Sequence, residues 1–316
     1  MTKQDYIDIT YSILKNDWDE NPSIQFKEYS ISQFQGTAFD SDYHCYKIHW
    51  SEWDSIGSVR LARKIPYSLV AKETTAEEEY ILRLLSEKNF PVPKLHAVVR
   101  LKNGNVMIFE QFLFGDELYS LREHNAWLKA ANSLSCIHYA FWNLENTSPE
   151  VAHKIQVNNK IVEKIHCAQN NTAQHPLWKK YMLQICKRLS NAPKTLIHGD
   201  TFPTNILING ESISFIDWAN ASNYAYIMDI GRLTAIIDKK TLLPMCPCPD
   251  EIINIYYEKM LEKLNISYNE YLNDVRMAQF LELAALYTPT GRNRINSEYN
   301  QILEKKLDEI VIDMVK

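Results

Sequence analysis

The pattern of apolar and polar positions changes character along this chain. Residues 27–34, 43–50 and 57–64 are short segments with partial period-two alternation or β-branched content, and they predict consecutive antiparallel strands. Ser68 to Lys88 then reads as one helix carrying an acidic cluster, Glu77 to Glu79. Within it Glu78 precedes Leu82 by four and Leu85 by seven positions, which puts these three on one helical face; Glu79 is nearly as well placed. Phe90-Pro91-Val92-Pro93 forms a rigid turn, and Asn105 to Phe114 reads as a last strand running into a link. Beyond it the period becomes helical. Residues 124–143 bring Leu128, Ala131, Leu134, His138, Phe141 and Trp142 near one stripe, 150–190 give two more helices broken at Asn170-Asn171-Thr172 and Pro176, and the chain after Asp229 is mostly helical. His138, alone on an apolar face, reads as a satisfied core side chain and is assigned no catalysis.

Three short apolar runs interrupt this helical region: Thr195 to Ile197, Ile206 to Ile208 and Ser212 to Ile216, with a hairpin signal at Asn209-Gly210. They frame the polar residues with the most chemical content. Asp200 stands five residues before Asn205, and Asp217 follows the third run. A transferring phosphoryl group needs an aligned hydroxyl and cations to absorb the charge on its oxygens. An Asp beside the nucleophile can orient it and accept its proton, while an Asn and a second Asp offer oxygen ligands to the hard cation Mg²⁺.

His198-Gly199-Asp200 with Pro203 and Asn205, then Ile216-Asp217-Trp218, then Asp229-Ile230-Gly231, resembles the aminoglycoside phosphotransferase and choline kinase superfamily. The resemblance implies an α+β, two-lobed protein-kinase-like fold: an N-terminal nucleotide-binding lobe over 1–112, with an antiparallel sheet and a helix, and a mainly helical catalytic and substrate-binding lobe over 113–316. It implies transfer of the γ-phosphate of ATP or GTP, with Mg²⁺, to a hydroxyl of a small molecule. Asp200 is then the expected base, Asn205 and Asp217 the metal ligands, and His198 and Asp229 the supports of the loop. On the nucleotide side it points to a flap over 35–42 that contains a single glycine, Gly36. Arg60, in Ser58 to Arg63, takes the phosphate-holding position with Glu78 orienting it, and backbone groups near Glu110 to Phe112 face the base. Lys72 in Val70-Ala71-Lys72 is set aside because the acidic run follows too closely for a strand, a connection and a helix start.

For the acceptor, the resemblance offers an aminoglycoside-like or other antibiotic, with resistance as the purpose, and a choline- or ethanolamine-type metabolic kinase as the alternative. Carboxylates Asp274, Glu282 and Glu298, each read first as a surface charge, suit the former; the aromatic faces of Trp218, Tyr224, Tyr226 and Tyr287 suit a quaternary ammonium. The chain departs from the antibiotic kinases at Ala219, where an acidic residue is common, and at Asn223 to Tyr226, where Gly-Asp-Pro is common. A non-catalytic nucleotide-binding module is the reading from another class. It gives no physical reason to keep Asp200, Asn205 and Asp217 together.

Composition adds bounds. A chain of 316 residues, 46% hydrophobic, can bury a substantial core in two lobes. A formal net charge of −5 without clustered Lys/Arg and interleaved aromatics argues against a nucleic-acid groove and suits a cationic substrate. No apolar run is long enough to span a bilayer and the N-terminus lacks a signal-peptide core, so no membrane is expected. Six scattered cysteines suit a reducing cytoplasm, for a monomer or homodimer. Cys246 and Cys248 flank a proline but have no second pair at zinc-ligand spacing, and the sequence assigns them no metal.

Overall fold

The computed structural model describes residues 5, 8, 9, 12, 25–33, 45–56, 59–61, 67–289 and 297–315, and side chains at 5, 8, 9, 12, 70–289 and 298–314. The expected flap with Gly36 lies outside the described residues. The chain divides into two compact units, Met1–Phe114 and Gly115–Lys316.

The first unit is an antiparallel sheet with one helix. Its strands are β1 (Gln25–Gln33), β2 (Cys45–Ile56), β3 (Val59–Leu61), β4 (Tyr67–Thr74), β5 (Leu95–Arg100) and β6 (Val106–Gln111). They run in the order β1-β2-β4-β6-β5, with β3 paired to the end of β2. Helix α1 (Ala76–Glu87) buries Ile81, Leu82 and Leu85, and packs against β5 and β6. Central strand β6 is buried from Val106 to Glu110, as expected of a strand covered on both faces.

The helix expected over 68–88 is a correction: its first part is strand β4, and the helix starts only at Ala76. One residue, Thr75, makes the connection. Its side chain accepts a hydrogen bond from the Glu78 amide at 3.3 Å, so Thr75-Ala76-Glu77-Glu78 starts the helix with the T-x-x-E pattern of a cap. No loop is needed where the capping residue itself turns the chain.

The second unit is mainly helical: α2 (His124–Ala140), α3 (Leu144–Thr147), α4 (Pro149–Lys154), α5 (Asn159–Thr172), α6 (Pro176–Asn191), α7 (Met228–Ala235), α8 (Pro249–Leu264), α9 (Tyr268–Leu286) and α10 (Ser297–Val315). Two small antiparallel sheets are set among them, β7 (Asp116–Glu117) with β9 (Ile206–Asn209) and β10 (Ser212–Phe215), and β8 (Lys194–Ile197) with β11 (Ser222–Ala225). The hairpin signalled at Asn209-Gly210 forms with its turn one residue later. Asn209 pairs with Ser212, and Gly210, at φ +59°, begins the two-residue turn. Helix α9 lies against α7, α5, α6 and α10, and Tyr271, Val275, Ala278, Phe280, Leu281 and Ala284 are buried there.

The α7–α9 contact is close because residue 231 is glycine. A Cβ built on Gly231 would stand 2.4 Å from the Cβ of Ala278. Gly231→Val should therefore destabilise the protein by at least about 1–3 kcal/mol through overpacking, read as a lower thermal melting temperature; an unchanged melting temperature would show that these helices can separate freely.

Candidate active site

Strand β8 delivers the chain to a turn built around one buried carboxylate. Asp229, in the first turn of α7, accepts hydrogen bonds from the His198 amide at 2.7 Å, the Gly199 amide at 2.9 Å and His138 Nε2 at 3.1 Å. Its own carbonyl accepts from the Thr201 hydroxyl at 2.9 Å. Burial pushes the Asp229 carboxyl upward, yet the hydrogen bonds from His138 and the His198 amide win and hold it below the ordinary carboxylate range. Its place at a helix N-terminus also favours the anion.

Gly199 allows the turn. Its φ is +78°, and a Cβ there would meet the Asn220 carbonyl oxygen at 2.2 Å, so both conformation and space demand glycine. His198 is pinned by its ring as well: Nε2 lies 3.0 Å from the Ile216 carbonyl and Nδ1 lies 3.3 Å from the Asp200 amide. A carbonyl can only accept and an amide can only donate, which fixes the tautomer with the proton on Nε2. The His198 ring leans on Trp218, with centroids 4.5 Å apart.

Register places the other two polar residues. Phe215 is opposite Ile206 in the β9–β10 hairpin, and the Ile216 amide bonds the Asn205 carbonyl at 3.0 Å. Asn205 and Asp217 therefore flank the open end of one hairpin. The Asn205 amide nitrogen donates to the Asp200 carbonyl at 3.1 Å, tying the loop across itself and committing the nitrogen end of the carboxamide. Asp217 is exposed and adopts the left-handed conformation, φ 63° and ψ 66°, a strained choice for a residue with a side chain. The donor set of one carboxylate and one carboxamide oxygen fits a hard divalent cation.

The Asp200 carboxylate itself meets Arg232, at 2.5 Å. Arg232 stands three residues after Asp229 on α7, and its other side bonds Glu282 of α9 at 2.8 Å; Glu282 is also held by Lys164 of α5 at 2.7 Å. Burial pushes the Glu282 carboxyl upward, but the two cations outweigh it and keep it below the usual range. Nothing in the sequence pattern singled out Arg232. Its signal exists only in three dimensions.

These contacts correct several expectations. Glu282 and Asp274 are each about 1% exposed. Glu282 is a buried anchor for Arg232, and Asp274 binds Arg188 through two bonds of 2.7 and 2.8 Å and accepts from the Tyr226 hydroxyl, so neither is a surface charge open to a substrate. Trp218, Tyr224, Tyr226 and Tyr287 are all buried, and none offers an open ring face to a cation. Trp218 spends its indole N–H on the Phe215 carbonyl and its ring on His198. Burial pushes the Tyr224 hydroxyl up from its ordinary pKa. His138 is a core side chain as expected, but it also bonds Asp229 on one nitrogen and the Tyr256 hydroxyl on the other.

In the first unit, Glu78 bonds Lys72. Lys72 Nζ lies 2.8 Å from Glu78 Oε1, in a pair almost wholly removed from solvent, and the Thr74 hydroxyl bonds the second Glu78 oxygen. Glu79 turns instead to Arg83 and Arg100. Arg60 lies on β3, and its side chain is outside the described residues. Val70-Ala71-Lys72, set aside in the sequence, thus carries a lysine that is ion-paired with a glutamate of α1. Glu110 is flanked by Val70 of β4 and Leu95 of β5, inside the sheet, whereas Phe112 lies just past the end of β6. A cavity of about 580 Å³ bounded by Glu145, His153, Gln156, Lys194 and Asn223 contains none of Asp200, Asn205 or Asp217.

The model of the phosphotransferase enzyme family matches residues 50–242, and the chain belongs to that family. Its fold is kinase-like. A putative aminoglycoside phosphotransferase from Ralstonia eutropha JMP134 matches with 14% identity over 95% of each chain at a TM-score of 0.58. An ethanolamine kinase of Plasmodium vivax matches with 17% identity over 98% of this chain and 89% of its own, TM-score 0.54. A spectinomycin phosphotransferase in complex with ADP and spectinomycin matches with 17% identity over 90% and 92%, TM-score 0.54. The protein is thus a phosphotransferase, and among its described residues no helix is long and apolar enough to cross a membrane.

Asp229→Asn keeps the shape and removes the charge. It should cost roughly 2–4 kcal/mol, because donors that now share a carboxylate lose it. The pH dependence follows from the depressed pKa: the stabilisation is complete above the unfolded value of 3.8 and is lost as the pH falls through the lower folded value. Acid unfolding followed by circular dichroism should show this contribution in the native protein and not in Asp229→Asn.

Proposed function

We propose that the protein transfers the γ-phosphate of ATP or GTP to an alcohol hydroxyl of a small molecule, with Mg²⁺, and that the acceptor is an aminoglycoside-like or other hydroxylated antibiotic. The observation that carries this reading is the open end of the β9–β10 hairpin. Asn205 and Asp217 flank it, and Asn205 is tied to Asp200 through the backbone.

In this reading Asp200 orients the acceptor hydroxyl and takes its proton as the new bond forms. Arg232 holds that carboxylate in its rotamer, so little reorganisation is needed when the hydroxyl arrives. Asn205 and Asp217 hold Mg²⁺, which when bound neutralises charge on the phosphate oxygens. Lys72, oriented by Glu78, takes the α- and β-phosphates, the role its strand position has in protein kinases. The backbone near Phe112 meets the base. His198, Asp229 and His138 shape the loop.

The burial of Trp218, Tyr224, Tyr226 and Tyr287 removes the rings that the sequence offered for a quaternary ammonium, which favours the antibiotic reading over the choline type. A binding module without catalysis could use Asn205 and Asp217 for Mg²⁺ but would give the Asp200 carboxylate no hydroxyl to act on.

The test is mass spectrometry of aminoglycosides, macrolides, other hydroxylated antibiotics, choline and ethanolamine after incubation with Mg²⁺, ATP or GTP and the protein. One antibiotic should gain a phosphate. Asp200→Asn should lower turnover by roughly 10²–10⁴-fold with nucleotide binding kept. Phosphorylation of choline or ethanolamine alone would overturn the acceptor assignment, and full activity in Asp200→Asn would overturn the base.

A further inference from the structure

We propose that His124, Cys246, Cys248 and Glu251 bind one structural Zn²⁺ ion. The ligand atoms of His124, Cys248 and Glu251 all lie within 4.8 Å of one another, and His124 Nδ1 is 3.2 Å from Glu251 Oε1. Cys246 is buried two residues before Cys248 at the same entry to α8; its thiol stands outside this group of three and becomes the fourth ligand by turning toward it. In a tetrahedral zinc site with bonds of ~2.0–2.3 Å the ligand atoms stand ~3.3–3.8 Å apart, so His124, Cys248 and Glu251 need little adjustment to close on an ion, and a turn of the Cys246 side chain completes the tetrahedron.

Three segments deliver these side chains. His124 opens α2, Cys246 and Cys248 lie in the Cys-Pro-Cys-Pro entry to α8, and Glu251 is in the first turn of α8, which packs against α2. Arg122 binds the carbonyls of Pro244 and Met245, just before Cys246, at 3.3 and 3.4 Å, and the Met245 amide bonds the Ile236 carbonyl at 2.9 Å. Both thiols are buried, at 2% and 4% exposure, and neither is in a disulfide. The spacing of the cysteines alone gave no zinc pattern because the histidine is supplied from the start of another helix.

Two thiols, an imidazole and a carboxylate select a borderline-soft cation with tetrahedral preference, which is Zn²⁺ rather than Mg²⁺. Binding releases the two thiol protons and forms two zinc–thiolate bonds, with no change of oxidation state. All four positions are filled by protein, which makes the site structural rather than catalytic. The ion would fasten residues 236–249, the segment that follows α7 with its Asp229 and Arg232, to the starts of α2 and α8.

Elemental analysis of the full chain, without an affinity tag and purified under reductant from zinc-supplemented medium, tests this. About one zinc per chain should survive dialysis, and Cys246→Ser with Cys248→Ser should reduce it to about a tenth or less. Should that variant fail to fold, the native chain decides: stripped of metal and reduced, it should take up Co²⁺ with the intense bands of a tetrahedral thiolate site, lose them to Zn²⁺, and melt at a higher temperature with either ion. A stripped native protein that takes up neither ion, zinc retained by the double serine variant, or a Cys246–Cys248 disulfide in the protein purified without reductant from the same medium would overturn the proposal.

Discussion

The Asp229 carboxylate is the constraint on which the loop that presents Asp200 depends. A turn that presents Asp200 leaves consecutive backbone amides, those of His198 and Gly199, with no partner in β8 or β11, and buried amides without acceptors are costly. Asp229 accepts from both and takes its remaining bond from His138. One carboxylate at the start of α7 thus fixes the turn, and the turn fixes where Asp200 stands. Gly199 is the complement of this clamp, since nothing larger could pass so close to Asn220.

A second layer holds the Asp200 side chain. The chain of charges from Lys164 through Glu282 and Arg232 to Asp200 links helices α5, α9 and α7 to the loop. Buried charges are expensive unless paired, and here each faces an opposite charge, though Arg232 Nε and Asp200 Oδ1 make no hydrogen bond among the described residues. Helix α7 carries both Asp229 and Arg232 one turn apart, so a single element positions the backbone and the side chain of the same residue. The close α7–α9 approach at Gly231 keeps Arg232 within reach of Glu282.

Much of this was legible in the sequence, and the rest was hidden for identifiable reasons. His198, Asp200, Asn205, Asp217 and Asp229 stand close together along the chain and carry chemistry that turns alone do not require; the strands around them were readable from short apolar runs. The Lys72–Glu78 pair was hidden because the sequence pattern suggests a loop between strand and helix, while Thr75 serves as cap and connection at once. Arg232, Glu282 and Asp274 were beyond reach for another reason: on helices a charged residue reads as solvated face, and only packing shows which charges are drawn inside. The tyrosines and Trp218 were misread in the same way, since an aromatic near a site is as useful for walls as for binding.

The account divides the loop into a residue that acts on the acceptor and residues that hold the metal. Electron paramagnetic resonance of Mn²⁺, in place of Mg²⁺, with a non-hydrolysable nucleotide tests that division most directly. It predicts a nucleotide-dependent Mn²⁺ site that Asp200→Asn leaves intact and that Asp217→Ala and Asn205→Ala each weaken strongly. A Mn²⁺ site indifferent to Asp217 and Asn205, or one lost in Asp200→Asn alone, would contradict it.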